Sequence, residues 1–171
     1  LSEFLKGQPD YGGGLRIVRH SSQRDTKYPK DFGRKVVQLL SNDKIEEIHL
    51  MPAPSFVDWA AIKAKFPNRI FTYKVNELLV NKFLLKGNCF WYHLPDGYKD
   101  QGPKVIMEAQ ATGLPIVADS NSGGARDRVN GWQNGFLLEN FKDHKACLNI
   151  LADSEGKRKE LGQAAKEKAK R

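Results

Sequence analysis

The sequence predicts an α/β domain, a doubly wound parallel sheet of the Rossmann-like kind with helices on both faces. Short strand-like runs alternate with helical stretches of about ten residues, and no pair of runs carries a hairpin turn signal. One run, Leu114-Pro115-Ile116-Val117-Ala118, is short and wholly apolar, as a strand covered on both faces would be. Ligands of such folds lie in the crevice at the carboxyl ends of the strands. The first strand–helix loop lacks Gly-x-Gly-x-x-Gly, which disfavours an NAD-type version of the class.

Residues 1–14, ending in Gly12-Gly13-Gly14, read as an interdomain linker or a frayed lead-in, so the domain is expected over 15–171. A first strand covers 15–19 and is followed by a charged, Ser-rich loop from His20 to Tyr28. Residues 29–40 form a helix, with Phe32, Val36, Val37 and Leu40 near helical spacing. The second strand is 47–51, and a helix over 56–66 carries Trp59, Ile62 and Phe66 on one face. A third strand at 69–73 leads into a helix at 76–85, for which Asn76 is a candidate N-cap. The fourth strand is 89–93. After it comes the loop Pro95-Asp96-Gly97-Tyr98-Lys99-Asp100-Gln101-Gly102-Pro103, with Pro103 suited to the first helical position. That helix ends at Gly113, the strand 114–118 follows, and Gly123-Gly124 opens a further helix. A last strand at 135–138 and two helices close the chain.

At 171 residues the chain is one domain with room for a sizeable core. It starts at Leu1 with no signal peptide, which reads as a fragment of something larger. No run approaches the roughly 20 apolar residues of a membrane span. Cys89 and Cys147 lack Cys-x-x-Cys spacing and suit free thiols in a reducing, cytoplasmic compartment. The net charge is +8, and residues 155–171 contribute +4 of it in a helix of mixed charge, whose default is a solvated face. The basic balance keeps a nucleic-acid-binding module open as an alternative. It also suits a diphosphate site, or peripheral contact with an anionic membrane surface.

Glu108 and Asp100 are the informative pair. Glu108 lies roughly 9 Å along the helix from Gly102, too far from Asp100 for a shared-proton dyad. The helix start between them offers unpaired amides that favour anions. Such an array suits a ligand with hydroxyls at both ends and phosphates between. An amphipathic helix with one solvated glutamate accounts for Glu108 equally well. No histidine has a partner at metal-ligand spacing, so no metal is expected. His49 and His144 read as structural, the latter on a surface helix, whereas His20 and His93 end strands at the ligand side.

From Asp100 to Val129, and on through Gly131-Trp132-Gln133-Asn134-Gly135-Phe136-Leu137-Leu138, the chain resembles the C-terminal half of retaining GT-B glycosyltransferases of the family-4 type. Their pattern runs Glu, seven residues, Glu-Ala, then Gly-Leu-Pro-Val-Val, Gly-Gly-x-x-Glu and Asp-Gly-x-x-Gly-Leu-Leu. Here Asp100 replaces the first Glu, Asp127 the Glu after the glycine pair, and Asn130 the Asp before Gly131. One extra residue separates Gly131 from Gly135. Asp100 keeps the charge and loses one methylene of reach.

The resemblance implies a nucleotide diphosphate sugar as substrate, transferred with retention to a glycan, lipid-linked or other acceptor held by an N-terminal domain. It implies catalytic roles for Glu108, on the ribose hydroxyls, and Asp100, on the transferred sugar. Arg19 and Lys27, less strongly Arg24, would neutralise the diphosphate beside the amides near Gly102, with His20 facing the donor. The turn Tyr73-Lys74-Val75 would offer backbone groups to the base. Tyr98 and Gln101 would border the sugar, and Gly123 and Gly124 would let the backbone approach ligand. A non-transferase sugar-nucleotide enzyme, such as an epimerase or phosphorylase, shares the architecture and stays open.

Overall fold

The structure is a computed structural model that describes residues 1–22, 25–100 and 104–171. Six strands form one sheet: β1 (Leu15–His20), β2 (Ile45–Met51), β3 (Ile70–Thr72), β4 (Cys89–Tyr92), β5 (Ile116–Asp119) and β6 (Gly135–Leu138). Their order is β3-β2-β1-β4-β5-β6, and every neighbouring pair is parallel. The chain therefore winds outward from β1 to one edge, returns to β4, and winds to the other. β1 and β4 flank the point of reversal, where their diverging loops open a crevice.

Side-chain alternation divides the core in two. Ile17, Cys89, Trp91 and Val117 point to one face, beneath α2 (Phe32–Leu40), α3 (Trp59–Lys65) and α6 (Phe141–Asp153). Val18, Phe90, Tyr92, Ile116 and Ala118 point to the other, beneath α4 (Val80–Leu84) and α5 (Lys104–Thr112). Trp91 stacks on Phe32 with ring centroids 5.4 Å apart, and both are fully buried. Burial of each such side chain is worth about 1.5–3 kcal/mol.

The lead-in and two of the helices differ from expectation. Residues 1–14 are docked rather than frayed: α1 (Ser2–Leu5) is followed by buried Tyr11, whose hydroxyl donates to the Gly113 carbonyl at 2.6 Å. Arg158 fixes the same segment from α7 (Glu155–Ala169), donating to the carbonyls of Tyr11 and Gly13. It is 1% exposed, so it does not belong to the solvated face expected of that helix. Composition marks a helix as charged without showing which cation turns inward. Asn76 caps nothing, taking φ +58 in a turn, and α4 starts four residues later. Gly123-Gly124 opens only a short 3-10 turn, Gly123–Ala125. Both cysteines are buried free thiols.

Candidate functional site

The two carboxylates singled out in the sequence converge on the crevice at the β1–β4 reversal. α5 packs beneath β4 and β5 and carries Glu108, which is 6% exposed. Its Oε2 lies 3.1 Å from Nε2 of His20, the last residue of β1. Nε2 has no hydrogen-bond partner of ordinary geometry among the described residues, so the two atoms are in close polar contact. Oε1 lies 3.5 Å from the ammonium of Lys104, a long exposed arm. Burial pushes the Glu108 carboxyl up, but His20 and Lys104 together outweigh it and hold the group below its ordinary value.

Asp100 is half-buried on the loop after β4. Its Oδ2 accepts a 2.5 Å hydrogen bond from the Tyr92 hydroxyl and lies 3.6 Å from Nζ of Lys27. Lys27 closes the 3-10 turn Asp25–Lys27 after β1. Burial, followed by the bond to Asp100, pushes the Tyr92 phenol far above its usual range, so it stays a neutral donor. Beside Asp100, a cleft of about 590 Å³ is lined by Gly97, Tyr98, Lys99, Ser120, Asn121 and Arg126.

Arg19, expected at the diphosphate, lies near the end of β1. It is fully buried, donates to the carbonyls of His93 and Lys27 (the latter at 2.6 Å), and stacks on Tyr28 at 3.9 Å. Its Nε has no hydrogen-bond partner among the described residues, so one N–H of the guanidinium is uncommitted. Arg19 lies in the strand expected at 15–19, and alternation turns its side chain inward.

Tyr73 spends its N–H on the Leu50 carbonyl and its hydroxyl on Nδ1 of His49, while the Lys74 N–H meets Glu77. Half-buried Val75 is the member of that turn with no hydrogen-bond partner among the described residues. Tyr98 packs on the β4–β5 side of the core, and Gly123-Gly124 follow β5 on the crevice side. Arg24, Gln101 and Gly102, with the start of the helix at Pro103, lie outside the described residues.

Sequence reasoning missed a buried cluster of His93, Asp119 and His144, whose ligating atoms all lie within 4.8 Å of one another. His144 is completely buried rather than on a surface helix. The indole N–H of Trp91, which can only donate, meets His144 Nδ1 at 3.1 Å, so the proton of that ring sits on Nε2. The Lys35 ammonium likewise meets His93 Nε2 at 2.9 Å, which puts the proton of His93 on Nδ1. Both inward nitrogens therefore donate to Asp119, and neither has a lone pair for a metal. The only sequence signal was that His93 and Asp119 both fall at strand ends.

Arg19 Nε, His20 Nε2 and Ser21 Oγ, at the end of β1, are buried without hydrogen-bond partners among the described residues, as is Ser122 Oγ after β5. Buried polar atoms are normally satisfied, so this crevice is built to receive polar groups. It offers carboxylates for hydroxyls and Lys27 for a negative charge.

Comparison with known proteins identifies the family and the fold. Residues 67–168 match the family described as Glycosyl transferases group 1. No curated protein matches the sequence. Among solved structures, TarM, known from S. aureus, superposes with a TM-score of 0.77 at 19% identity, over 95% of this chain and 33% of that one. Anabaena Alr3699/HepE in complex with UDP gives 0.71 at 16% identity, over 93% and 44%. The pneumococcal O-GlcNAc transferase GtfA, in complex with UDP and GlcNAc, gives 0.74 at 13%, over 96% and 34%. The chain thus spans between a third and under half of the length of these structures.

Proposed function

The chain belongs to the group 1 glycosyl transferases, and from that premise we propose that it is the donor-binding half of a retaining, family-4-type GT-B enzyme. The observation that carries this reading is the placement of Glu108 with His20, and of Asp100 with Lys27, at the reversal of strand order. UDP in the HepE and GtfA structures supports a nucleoside diphosphate as the ligand.

In this reading Glu108 accepts from the ribose hydroxyls and Asp100 from the transferred sugar. Lys27, with the helix amides near Gly102, offsets the charge that develops on the leaving diphosphate, and no metal is needed. The base lies against the backbone of Tyr73, Lys74 and Val75. Tyr98 and Gln101 border the sugar, and Gly123-Gly124 let the backbone approach it. Arg19 holds the Lys27 carbonyl and has its Nε–H left for the same diphosphate.

The acceptor belongs to a further domain, because orienting the two reactants supplies much of the acceleration. The chain alone then binds donor without transferring sugar, in a reducing cytoplasmic setting that permits peripheral contact with an anionic membrane. No helix among the described residues is long and apolar enough to cross a membrane. The test is to join the chain to an acceptor-binding domain and measure sugar transfer. Transfer should return, and Asp100→Ala or Glu108→Ala should remove most of it. Robust transfer by residues 1–171 alone would overturn the division of labour.

A further inference from the structure

The peptide group between His93 and Leu94 is gripped at both ends. Its carbonyl accepts from the Arg19 guanidinium, and its N–H donates to Oδ2 of Asp119. A cation at the oxygen and an anion at the N–H are the two charges that this peptide dipole favours. Asp119 is fixed in turn by two histidines. His93 Nδ1–H donates to its Oδ1 at 3.0 Å, and His144 Nε2–H donates to the same oxygen at 2.8 Å. Lys35, in ion-pair contact with Asp31 on the lead-in to α2, sets the tautomer of His93, and Trp91 sets that of His144. Burial pushes the Asp119 carboxyl up, yet the bonds from His144 and His93 hold it well below the usual carboxylate range. Burial also keeps His93 easier to deprotonate than a free imidazole.

The clamped peptide is the root of the loop that carries Asp100 six residues on. Arg19 also holds the carbonyl of Lys27, the ammonium facing Asp100. One buried cation therefore sets the positions of both partners at the sugar end of the crevice.

We propose that Arg19 and Asp119 are positioning residues that clamp the His93–Leu94 peptide and so aim Asp100 at the donor sugar. The aim at a sugar rests on the donor reading above, whereas the clamp does not. A buried residue sets the geometry of a ligand-binding one through the peptide group it holds.

Asp119→Asn tests the clamp because it keeps the shape. Its single carbonyl oxygen cannot serve all three donors, and its amide turns an N–H toward that of Leu94 or a histidine. Amide hydrogen exchange should accelerate at least tenfold over residues 94–100 and stay unchanged along β2 and α7. Acceleration everywhere, or nowhere, would overturn the proposal. Should the variant fail to fold, the wild-type imidazole nitrogens decide by NMR. Neutral rings with protons on His93 Nδ1 and His144 Nε2 are expected at pH 7, and a cationic ring or the opposite tautomer at either position overturns the clamp.

Binding judges the donor reading separately, with UDP, GDP, dTDP and ADP and their glucose conjugates as probes. Asp119→Asn should leave the nucleoside diphosphate within twofold. It should remove whatever affinity the sugar adds, no further than Asp100→Ala does, and the double variant should match Asp100→Ala. Independent, additive losses would show that Asp119 does not act through Asp100. If no nucleotide binds the wild type, the donor reading fails while exchange and tautomers still judge the clamp.

Discussion

Glu108→Gln isolates the charge at the ribose end of the crevice. The substitution preserves side-chain length in a position only 6% exposed, so packing beneath β4 and β5 should survive. Of the two carboxylate oxygens, Oε2 faces His20, which leaves Oε1 to accept from a ligand once the exposed Lys104 arm swings aside. The carboxyl is held below its ordinary value and is ionised at neutral pH. A hydrogen bond to a charged group is worth about 1.5–3 kcal/mol net, so affinity for a nucleoside diphosphate should fall roughly 10- to 150-fold. Isothermal titration of wild type and variant at pH 7 measures this directly, with circular dichroism as the control for fold. Unchanged affinity in a folded variant would remove Glu108 from the ligand site and refute the reasoning.

Lys27→Ala should weaken the diphosphate about tenfold and the corresponding nucleoside less than twofold; equal losses for both would place Lys27 away from the phosphates. The depressed Asp119 carboxyl stabilises the fold fully above its unfolded-state value of about 4, and that contribution is lost as pH falls from there toward the folded value. Wild type and Asp119→Asn should therefore differ in thermal midpoint by a constant amount above about pH 7, where His93 is neutral folded and unfolded, and converge below about pH 4. Gly162→Ala should destabilise by about 1–3 kcal/mol in urea titration, because the added methyl would overlap the Gly113 carbonyl and lie 2.7 Å from Tyr11 Cε1. A neutral result there would mean that α5 and α7 are free to move apart.

Strand and helix order was legible because period and punctuation are local. The run 135–138 needed no correction, and the other strands shifted by only a residue or two at their ends. The carboxylate pair was legible because its spacing is local too, Asp100 and Glu108 lying on one loop and helix. What escaped depends on which way a side chain turns. Arg158 read as a surface cation and Arg19 as a crevice cation, yet each is buried and donates to backbone carbonyls of distant segments. The partners of Arg19 and Asp119 meet only after the sheet brings β1, β4 and β5 side by side. His144 looked exposed because α6 is mixed in composition, and only its register turns that ring onto Trp91. No hydrophobic period encodes a hydrogen-bond network between three elements.

What decides the function of this crevice is whether it takes a nucleoside diphosphate. The direct measurement is a titration of the chain with UDP, GDP, dTDP and ADP, repeated at high salt and beside single-stranded RNA. Saturable one-to-one binding of at least one nucleoside diphosphate is expected, competed by its sugar conjugate and weakened by Glu108→Gln. No binding by any of the four, with RNA bound instead in a steeply salt-dependent manner, would contradict it and make the basic surface the functional one.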